Sequence, residues 1–441
     1  MPSSPKYIFI KNAYLGPSRS LPEDPMPNHR REFLKNIAGT VVAFTILPRH
    51  VLGRGYLAPS DQLTKGIIGT GVAGRQFLNY PGTRVTALCD VNQANLAQAA
   101  ALLDKKVKTF DDYRHLLLQK DIDFVHIATP PHWHGLMAIE AAAAGKDIWC
   151  ETPMTHSIAE GRQVITAVQT YGRIFRLNLD HRIEGKLYGT NMPVKKLQKL
   201  ISSAILGGPI TITLGPQTGF NWPFQNPGLT SLPAQPIPAT LNYDRWLGPA
   251  PYKPYHINRI QHFPAYWDYS GGILAELGQQ YLDPIQFILG KDETSPVEVA
   301  VEAPLQHPDV VGTWQKITFT YEDGCKIILD AEGREANAPF ISGPAGKLYA
   351  DFKSDIRDLE TKLADFPDPP LAATDFVKAV KERQTFATNE ENGHRSCTLV
   401  NMGIIALQLG RSLQFDPVKQ TFLFDEGANR LLNKALRSTW K

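Results

Sequence analysis

Cysteine is scarce in this sequence, which has four cysteines among 441 residues and no CxxC pair. Neither a disulfide framework nor a structural zinc site is therefore expected. No apolar run reaches the roughly 18–20 residues of a membrane-spanning helix. The formal net charge of +3 is too small to predict binding to nucleic acid. These absences favour a soluble enzyme or binding protein of two or three domains.

The first 58 residues have the features of an export signal. Arg30 and Arg31 precede a short apolar run over residues 37–47, which ends at Pro48. Paired arginines before a short apolar segment are typical of twin-arginine signals. No A-x-A cleavage site follows, so the segment is also compatible with an uncleaved anchor. We expect an exported or periplasmic protein whose folded domains begin near residue 59.

A glycine-rich segment indicates a dinucleotide-binding domain over residues 59–180. A short β-type run at 65–68 leads into this segment, and a second run, 84–89, ends in Asp90. In such folds the glycines allow a tight turn, a close approach of the pyrophosphate and close packing of helix and strand, while the acid binds the ribose. No Arg or Lys lies between residues 91 and 101, which favours NAD over NADP. The predicted cofactor-binding residues here are Gly69, Thr70, Gly71, Val72, Ala73, Gly74 and Asp90.

The alternation of strand and helix continues beyond the glycine-rich segment. Strand-like runs at 123–128 and 146–150 alternate with helical stretches at 133–144 and 157–171. This order predicts a doubly wound parallel sheet with right-handed crossovers. Ligands bind at the carboxyl ends of such strands. The rule adds five candidate cofactor residues, namely Thr129, Pro130, His134, Glu151 and Thr152.

The motifs resemble those of the Gfo/Idh/MocA oxidoreductases, the glucose–fructose oxidoreductase and inositol dehydrogenase superfamily. The resemblance rests on residues 66–74, 127–134, 144–146 and 151–153, and it extends through later stretches such as 267–290. It implies an α/β protein with an N-terminal Rossmann domain and a C-terminal α/β domain, here 181–441, built on a large and mostly antiparallel sheet. The resemblance also implies homo-oligomerisation through that sheet and a carbohydrate or glycoside substrate.

The second domain contains an aromatic loop that is a candidate for substrate binding. Residues 220–264 are rich in Pro, Trp, Tyr and Asn, a composition that suits an ordered loop with ligand contacts. Its aromatic side chains either stack on a sugar face or hold the loop from inside. We predict substrate contacts for Trp222 and Trp267.

The catalytic positions depart from the pattern of the superfamily. In its dehydrogenases, the lysine of an E-K-P motif acts with an Asp and a His four residues apart on one helix. Here Thr152 stands at the lysine, while Glu276 and Gln280 match the acid and the histidine on a predicted helix over 271–283. Threonine and glutamine are not bases near neutral pH. The predicted catalytic residues are Glu276, His181 and Tyr188, with His262 as a further candidate base, and Arg182 and Gln280 are predicted to bind substrate.

Three functions remain open on these residues. The chain transfers hydride from a carbohydrate hydroxyl to NAD with another base, or it resembles the NAD-dependent glycosidases of glycoside hydrolase family 109, which also lack the motif lysine. The third possibility is an NAD-binding or sugar-binding partner of an active enzyme. No catalytic metal is predicted, because His132 and His134 have no third ligand nearby.

Overall fold

The computed structural model describes residues 61–179, 182, 185–188, 190–224, 228–333, 337–369 and 372–437. The predicted export signal and His181 lie outside these residues. Among the described helices, none is both long enough and apolar enough to cross a membrane. The same residues contain no group of three or more His, Cys, Asp or Glu side chains that could hold a metal ion.

A six-stranded parallel sheet forms the nucleotide domain, as the sequence predicts. The strand order β3-β2-β1-β4-β5-β6 is that of a Rossmann fold. The strands are β1 (Leu63–Ile68), β2 (Thr83–Cys89), β3 (Lys108–Phe110), β4 (Phe124–Ile127), β5 (Asp147–Cys150) and β6 (Phe175–Leu177). The connecting helices are α1 (Val72–Gln76), α2 (Gln93–Ala101), α3 (Tyr113–Leu117), α4 (His134–Ala143) and α5 (Ile158–Thr170).

Side-chain caps define where several of these helices begin. Asn92, Asp112 and Ser157 each precede a helix and accept a hydrogen bond from a backbone N–H of its first turn. Such caps satisfy donors that have no partner within the helix. The central strands β4 and β5 are buried at every position, as expected for a sheet covered on both faces.

The second domain is built on a mostly antiparallel sheet of eight strands in the order β12-β11-β7-β10-β9-β8-β13-β14, in which only the described pair β7 and β10 runs parallel. The strands are β7 (Thr211–Leu214), β8 (Glu298–Glu302), β9 (Lys316–Thr320), β10 (Lys326–Asp330), β11 (Ile341–Gly343), β12 (Gly346–Leu348), β13 (Leu413–Asp416) and β14 (Thr421–Phe422). The helices are α6 (Val194–Ser202), α7 (Tyr243–Leu247), α8 (Ile257–Gln261), α9 (Gly272–Glu276), α10 (Gly278–Ile288), α11 (Leu359–Ala364), α12 (Phe376–Glu382), α13 (Glu390–Leu409) and α14 (Glu426–Arg430).

Helices late in the chain pack against the nucleotide domain. The Phe376 ring of α12 lies 5.1 Å from Phe124 and 5.7 Å from Trp149, both of which are buried in the parallel sheet. Cys397 of α13 belongs to the hydrophobic core of the nucleotide domain. Leu399 and Ile405 of the same helix belong to the core of the second domain, so α13 joins the two domains by apolar packing.

Candidate cofactor and substrate site

The three glycines of the loop after β1 meet different steric demands. Gly69 has φ +88°, and a Cβ there would lie 2.4 Å from the carbonyl oxygen of Ala128. A Cβ on Gly74 would lie 2.0 Å from the carbonyl oxygen of Gly69. A Cβ on Gly71 would meet no heavy atom within 4 Å. The fold itself therefore requires Gly69 and Gly74, whereas Gly71 leaves open space beside the backbone, as a closely approaching pyrophosphate needs.

Asp90 lies at the carboxyl end of β2 beside this loop. Its Oδ2 accepts hydrogen bonds from the backbone N–H of Thr70 at 2.8 Å and from Thr70 Oγ1 at 3.0 Å. Its Oδ1 accepts from the backbone N–H of Asn92 at 2.8 Å. Burial raises the pKa of Asp90, although the hydrogen bonds from Asn92 and Thr70 oppose this effect. The side chain of Asn95 also forms a hydrogen bond with this carboxylate, so a ribose hydroxyl would share Asp90 with Asn95.

A cavity of about 580 Å³ extends along the carboxyl edge of the parallel sheet. This volume is in the range of small-molecule sites. The lining includes predicted cofactor residues from three places, the glycine loop, the end of β2 and the end of β4, together with residues of the second domain. Among them are Gly69, Gly71, Val72, Ala73, Asp90, Thr129, Pro130, Leu241, Arg245 and Trp246.

Part of the predicted substrate loop instead forms a wall of this cavity. The backbone N–H of Asn242 donates to the carbonyl of Val91 at 2.9 Å, and the backbone N–H of Gln93 donates to the carbonyl of Thr240 at 2.8 Å. The guanidinium of Arg245 lies 2.7 Å from the Asp111 carboxylate. Helix α7 is thereby fixed against the nucleotide domain, and its Trp246 lines the cavity.

His134 supports this edge without lining the cavity. Its Nε2 lies 2.7 Å from the carbonyl oxygen of Thr129, and its Nδ1 lies 2.8 Å from that of Pro153. The ring is buried, and burial lowers the pKa of His134. The prediction that His134 contacts the cofactor is therefore corrected, because both ring nitrogens face backbone carbonyls of two loops and the side chain does not line the cavity.

Glu151 is held by two side chains at the end of β5. Its Oε1 lies 2.6 Å from Nε2 of His126, and its Oε2 accepts a hydrogen bond from Asn178 Nδ2 at 2.8 Å. Burial lowers the pKa of His126, although the hydrogen bond and the charge of Glu151 oppose this effect. A neutral His126 that donates from Nε2 to the Glu151 carboxylate fits this environment.

The predicted catalytic helix is divided at Leu277 into α9 and α10. The predicted single helix over 271–283 is thus corrected. Glu276, the last residue of α9, accepts a hydrogen bond from Ser270 Oγ at 3.0 Å, and burial raises its pKa. Gln280 in α10 donates from Nε2 to Thr152 Oγ1 at 2.9 Å. The side chains of Thr152 and Gln280 therefore meet, although they are far apart in sequence.

Tyr188 lies beside the same helix. Its ring is exposed and has its centroid 5.7 Å from that of Tyr281, the residue after Gln280. This position keeps Tyr188 among the catalytic candidates. His262 follows α8, whose Gln261 lines the cavity.

Arg182 does not reach an open substrate site. Its side chain is 1% exposed, and Nη1 donates to Asp283 Oδ2 at 2.9 Å, while Nη2 pairs with Asp292. The predicted role of Arg182 in substrate binding is therefore corrected, because its guanidinium is committed to a buried ion-pair cluster.

The two tryptophans predicted to stack on sugar are also interior residues. Trp222 is buried and donates from Nε1 to the carbonyl of Leu214 at 3.0 Å. Trp267 is buried and donates from Nε1 to the carbonyl of His307 at 3.0 Å. The structure thus corrects both assignments and places these rings where they hold loops from inside.

Two family models match the chain. One, described as "Oxidoreductase family, NAD-binding Rossmann fold", matches residues 63–179. The other, described as "Oxidoreductase family, C-terminal alpha/beta domain", matches residues 190–441, which is more than half of the chain. The chain belongs to the Gfo/Idh/MocA oxidoreductase family.

Curated relatives of this Gfo/Idh/MocA chain include glycosidases. It is 34% identical over 169 residues to a glycosyl hydrolase family 109 protein of Shewanella sp. strain W3-18-1. It is 33% identical over 169 residues to an alpha-N-acetylgalactosaminidase of Shewanella oneidensis. Each match covers 32% of this chain and 37% of the relative, so it spans well under half of these relatives.

Solved structures share the fold at low sequence identity. The WlbA dehydrogenase of Bordetella pertussis, in complex with NADH and UDP-GlcNAcA, has a TM-score of 0.55 at 16% identity, with 80% of this chain and 99% of that chain covered. The aldose-aldose oxidoreductase of Caulobacter crescentus has a TM-score of 0.51 at 16% identity, with coverage of 80% and 100%.

Three residues that shape the site of this Gfo/Idh/MocA protein were not predicted from its sequence. His126, Asn178 and Ser270 contact Glu151 or Glu276 through side-chain hydrogen bonds. His126 lies in an apolar strand, where sequence alone indicates a core position. A polar residue inside an otherwise continuous buried strand is the signal that could have found it, because such a group needs a partner.

Proposed function

We propose that this protein transfers hydride between a hydroxyl-bearing carbon of a carbohydrate or glycoside and NAD. The observation that carries this proposal is the open space at Gly71 next to Asp90, in a cavity that continues to the end of β4. A nicotinamide cofactor, when bound, supplies the hydride acceptor or donor. The residues of the chain then have to bind the substrate and accept or donate the proton of the reacting hydroxyl.

We propose NAD as the cofactor in preference to NADP. The carboxylates of Asp90, Asp111 and Asp112 line the cavity. Arg245, also in the lining, is paired with Asp111 at 2.7 Å, and the Arg75 guanidinium donates to the carbonyl of Thr70 at 3.1 Å. A ribose 2′-phosphate would therefore be repelled by these carboxylates, and both guanidinium groups that could bind it already have other partners. Titration with NAD+ and with NADP+ tests this choice, since equal or tighter binding of NADP+ would contradict it.

Glu276 is the proposed acid–base group for the hydroxyl proton. Burial raises the pKa of its carboxyl, while the hydrogen bond from Ser270 opposes the rise. A carboxyl whose pKa is nearer neutrality is better suited to exchange a proton with a hydroxyl. Tyr188 and His181 remain alternative bases. Glu151 is a second carboxylate at this edge, oriented by His126 and Asn178.

Glu276→Gln tests this role directly. We expect turnover to fall by roughly 10²–10⁴-fold, the usual contribution of a positioned acid–base group. Affinity for NADH should stay within a few-fold of the wild type, because the nucleotide loop is unchanged. Glu382→Gln, at an exposed position at the end of α12, is the matched control. Full turnover in Glu276→Gln would remove Glu276 from the mechanism.

A second candidate function is glycoside cleavage with bound NAD. The similarity to glycosyl hydrolase family 109 proteins supports it, as does Thr152 at the position of the motif lysine. Chromatography of products from a glycoside panel, together with the absorbance of reduced nicotinamide, separates the two functions. Net NADH formation with an intact glycosidic bond supports the dehydrogenase. Cleavage without net NADH formation supports the glycosidase.

We further propose export by the twin-arginine route, on the basis of Arg30, Arg31 and the apolar run after them. Replacing both arginines with lysine in a fusion of residues 1–58 to a periplasmic reporter should abolish export. Continued export of that variant would contradict the route. We also propose homo-oligomerisation through the eight-stranded sheet, which light scattering of the purified protein tests; a monomeric mass would refute it.

A further inference from the structure

A segment after α14, Leu432–Arg437, connects the nucleotide domain with the wall of the cofactor cavity. At one end, the backbone N–H of Ala159 in α5 donates to the carbonyl of Leu432 at 2.9 Å. At the other end, the backbone N–H of Arg437 donates to the carbonyl of Pro249 at 3.1 Å. The segment therefore runs from the nucleotide domain to the loop that follows α7.

The guanidinium of Arg437 makes three hydrogen bonds to α7 and to Gly248, the residue that follows it. Nε donates to the carbonyl of Gly248 at 2.7 Å, Nη1 donates to Asp244 Oδ1 at 2.6 Å, and Nη2 donates to the carbonyl of Asp244 at 2.8 Å. The Asp244 carbonyl also accepts the backbone N–H of Gly248 at 3.0 Å, so Arg437 is a second donor to this oxygen, and the Asp244 carboxylate adds an ion pair. A guanidinium with fixed donors can bind these two carbonyl oxygens and the carboxylate oxygen at the same time.

Helix α7 is also bound to the nucleotide domain on its other sides. The carbonyl of Trp246 accepts a hydrogen bond from Trp133 Nε1 at 3.0 Å, and Arg245 pairs with Asp111. Arg245 and Trp246 both line the dinucleotide cavity. Moving α7 away from this cavity would therefore break the contacts of Arg437 as well.

We propose that Arg437 is a positioning residue that holds α7 over the dinucleotide cavity, so that bound NAD leaves only after the Arg437 contacts break. This proposal rests on the cofactor binding in the proposed function. Arg437 acts through the wall of the cavity and not on the reacting atoms. Its loss therefore increases the rate of cofactor dissociation, while the glycine loop and Asp90 keep their shape.

The test measures NADH dissociation from the full chain by stopped-flow fluorescence, with excess NAD+ as competitor. We expect Arg437→Ala to release NADH at least tenfold faster than the wild type. Arg437→Lys should give an intermediate rate, because one ammonium can bind the same carbonyls without the fork of donors. Arg411→Ala is the matched control, since Arg411 makes a bidentate ion pair with Asp425 and does not line the cavity. It should release NADH at the wild-type rate.

The outcomes separate this proposal from the proposed function. Unchanged NADH dissociation in Arg437→Ala, with intact binding, would refute the role of Arg437 and leave the proposed function standing. A wild-type protein that binds no NADH would refute both. Thermal unfolding of each variant reports whether it folds, and if Arg437→Ala does not fold, the rate of Arg437→Lys decides. Equal acceleration by Arg411→Ala would show a general loss of rigidity and overturn the proposal.

Discussion

Gly71 and Gly74 should respond differently to an added methyl group. Gly71 has φ −64°, a value open to any L-residue, and an added Cβ would meet no protein atom within 4 Å. The free energy of unfolding of the Gly71→Ala protein should therefore lie within about 0.5 kcal/mol of the wild-type value. A slightly larger value is equally consistent with this expectation, because alanine lowers the conformational entropy of the unfolded chain. The same methyl group would occupy the space that the pyrophosphate needs. An overpacked contact costs about 1–3 kcal/mol, which is roughly a 5- to 150-fold loss of NAD+ affinity.

Gly74→Ala is the comparison, because its Cβ would lie 2.0 Å from the Gly69 carbonyl oxygen. We expect a loss of stability of about 1–3 kcal/mol or more, since the backbone must shift. Calorimetric titration with NAD+ and thermal unfolding of both variants measure the two effects. The reasoning would be refuted if Gly71→Ala bound NAD+ as tightly as the wild type, or if it lost as much stability as Gly74→Ala.

Three further predictions concern individual side chains. Asp90→Ala should weaken NAD+ binding at least tenfold in a calorimetric titration, and an unchanged dissociation constant would exclude Asp90 as the ribose ligand. Arg182→Leu should destabilise the fold by roughly 3–5 kcal/mol in urea unfolding, because two partly or fully buried carboxylates lose their cation; a loss below about 1 kcal/mol would contradict the buried-cluster assignment. Burial lowers the pKa of Lys65 to about 7, so the unfolded chain binds its proton more readily between about pH 7 and 10.5. The free energy of unfolding of the wild type should therefore fall, relative to that of Lys65→Met, as pH decreases through this window, with a slope of at most about 1.4 kcal/mol per pH unit. The same pH dependence in both proteins would refute the lowered pKa of Lys65.

The nucleotide domain was predictable because its signals are local. The glycine loop, the apolar runs and Asp90 at the end of β2 follow from spacing and strand order alone. The strand β3 was not predicted, because its three residues, Lys108–Phe110, include exposed and polar positions. Helix α13 shows local end signals as well, because Asn389 caps its start at Glu390 and Gly410, whose φ is +63°, follows its last residue, Leu409.

The substrate side was harder to predict because its residues are brought together by tertiary contacts. From the sequence, Arg182 is predicted to bind substrate. In the structure, its guanidinium pairs with Asp283, which lies about one hundred positions later in the chain. Tryptophan is a residue type common in sugar-binding sites, but the indole N–H groups of Trp222 and Trp267 donate to backbone carbonyls in the interior. No local pattern distinguishes an aromatic ring that stacks on a ligand from one that holds a loop.

In both proposed functions, NAD bound at this site exchanges hydride with a carbohydrate carbon. The most direct measurement is a single-turnover stopped-flow experiment, in which NAD+-loaded protein is mixed with sugars and glycosides while the absorbance of reduced nicotinamide is recorded. We expect at least one of these compounds to reduce the nicotinamide, with a slower rate when its oxidised carbon carries deuterium. Glycoside cleavage without any transient reduction of bound NAD+ would contradict the claim.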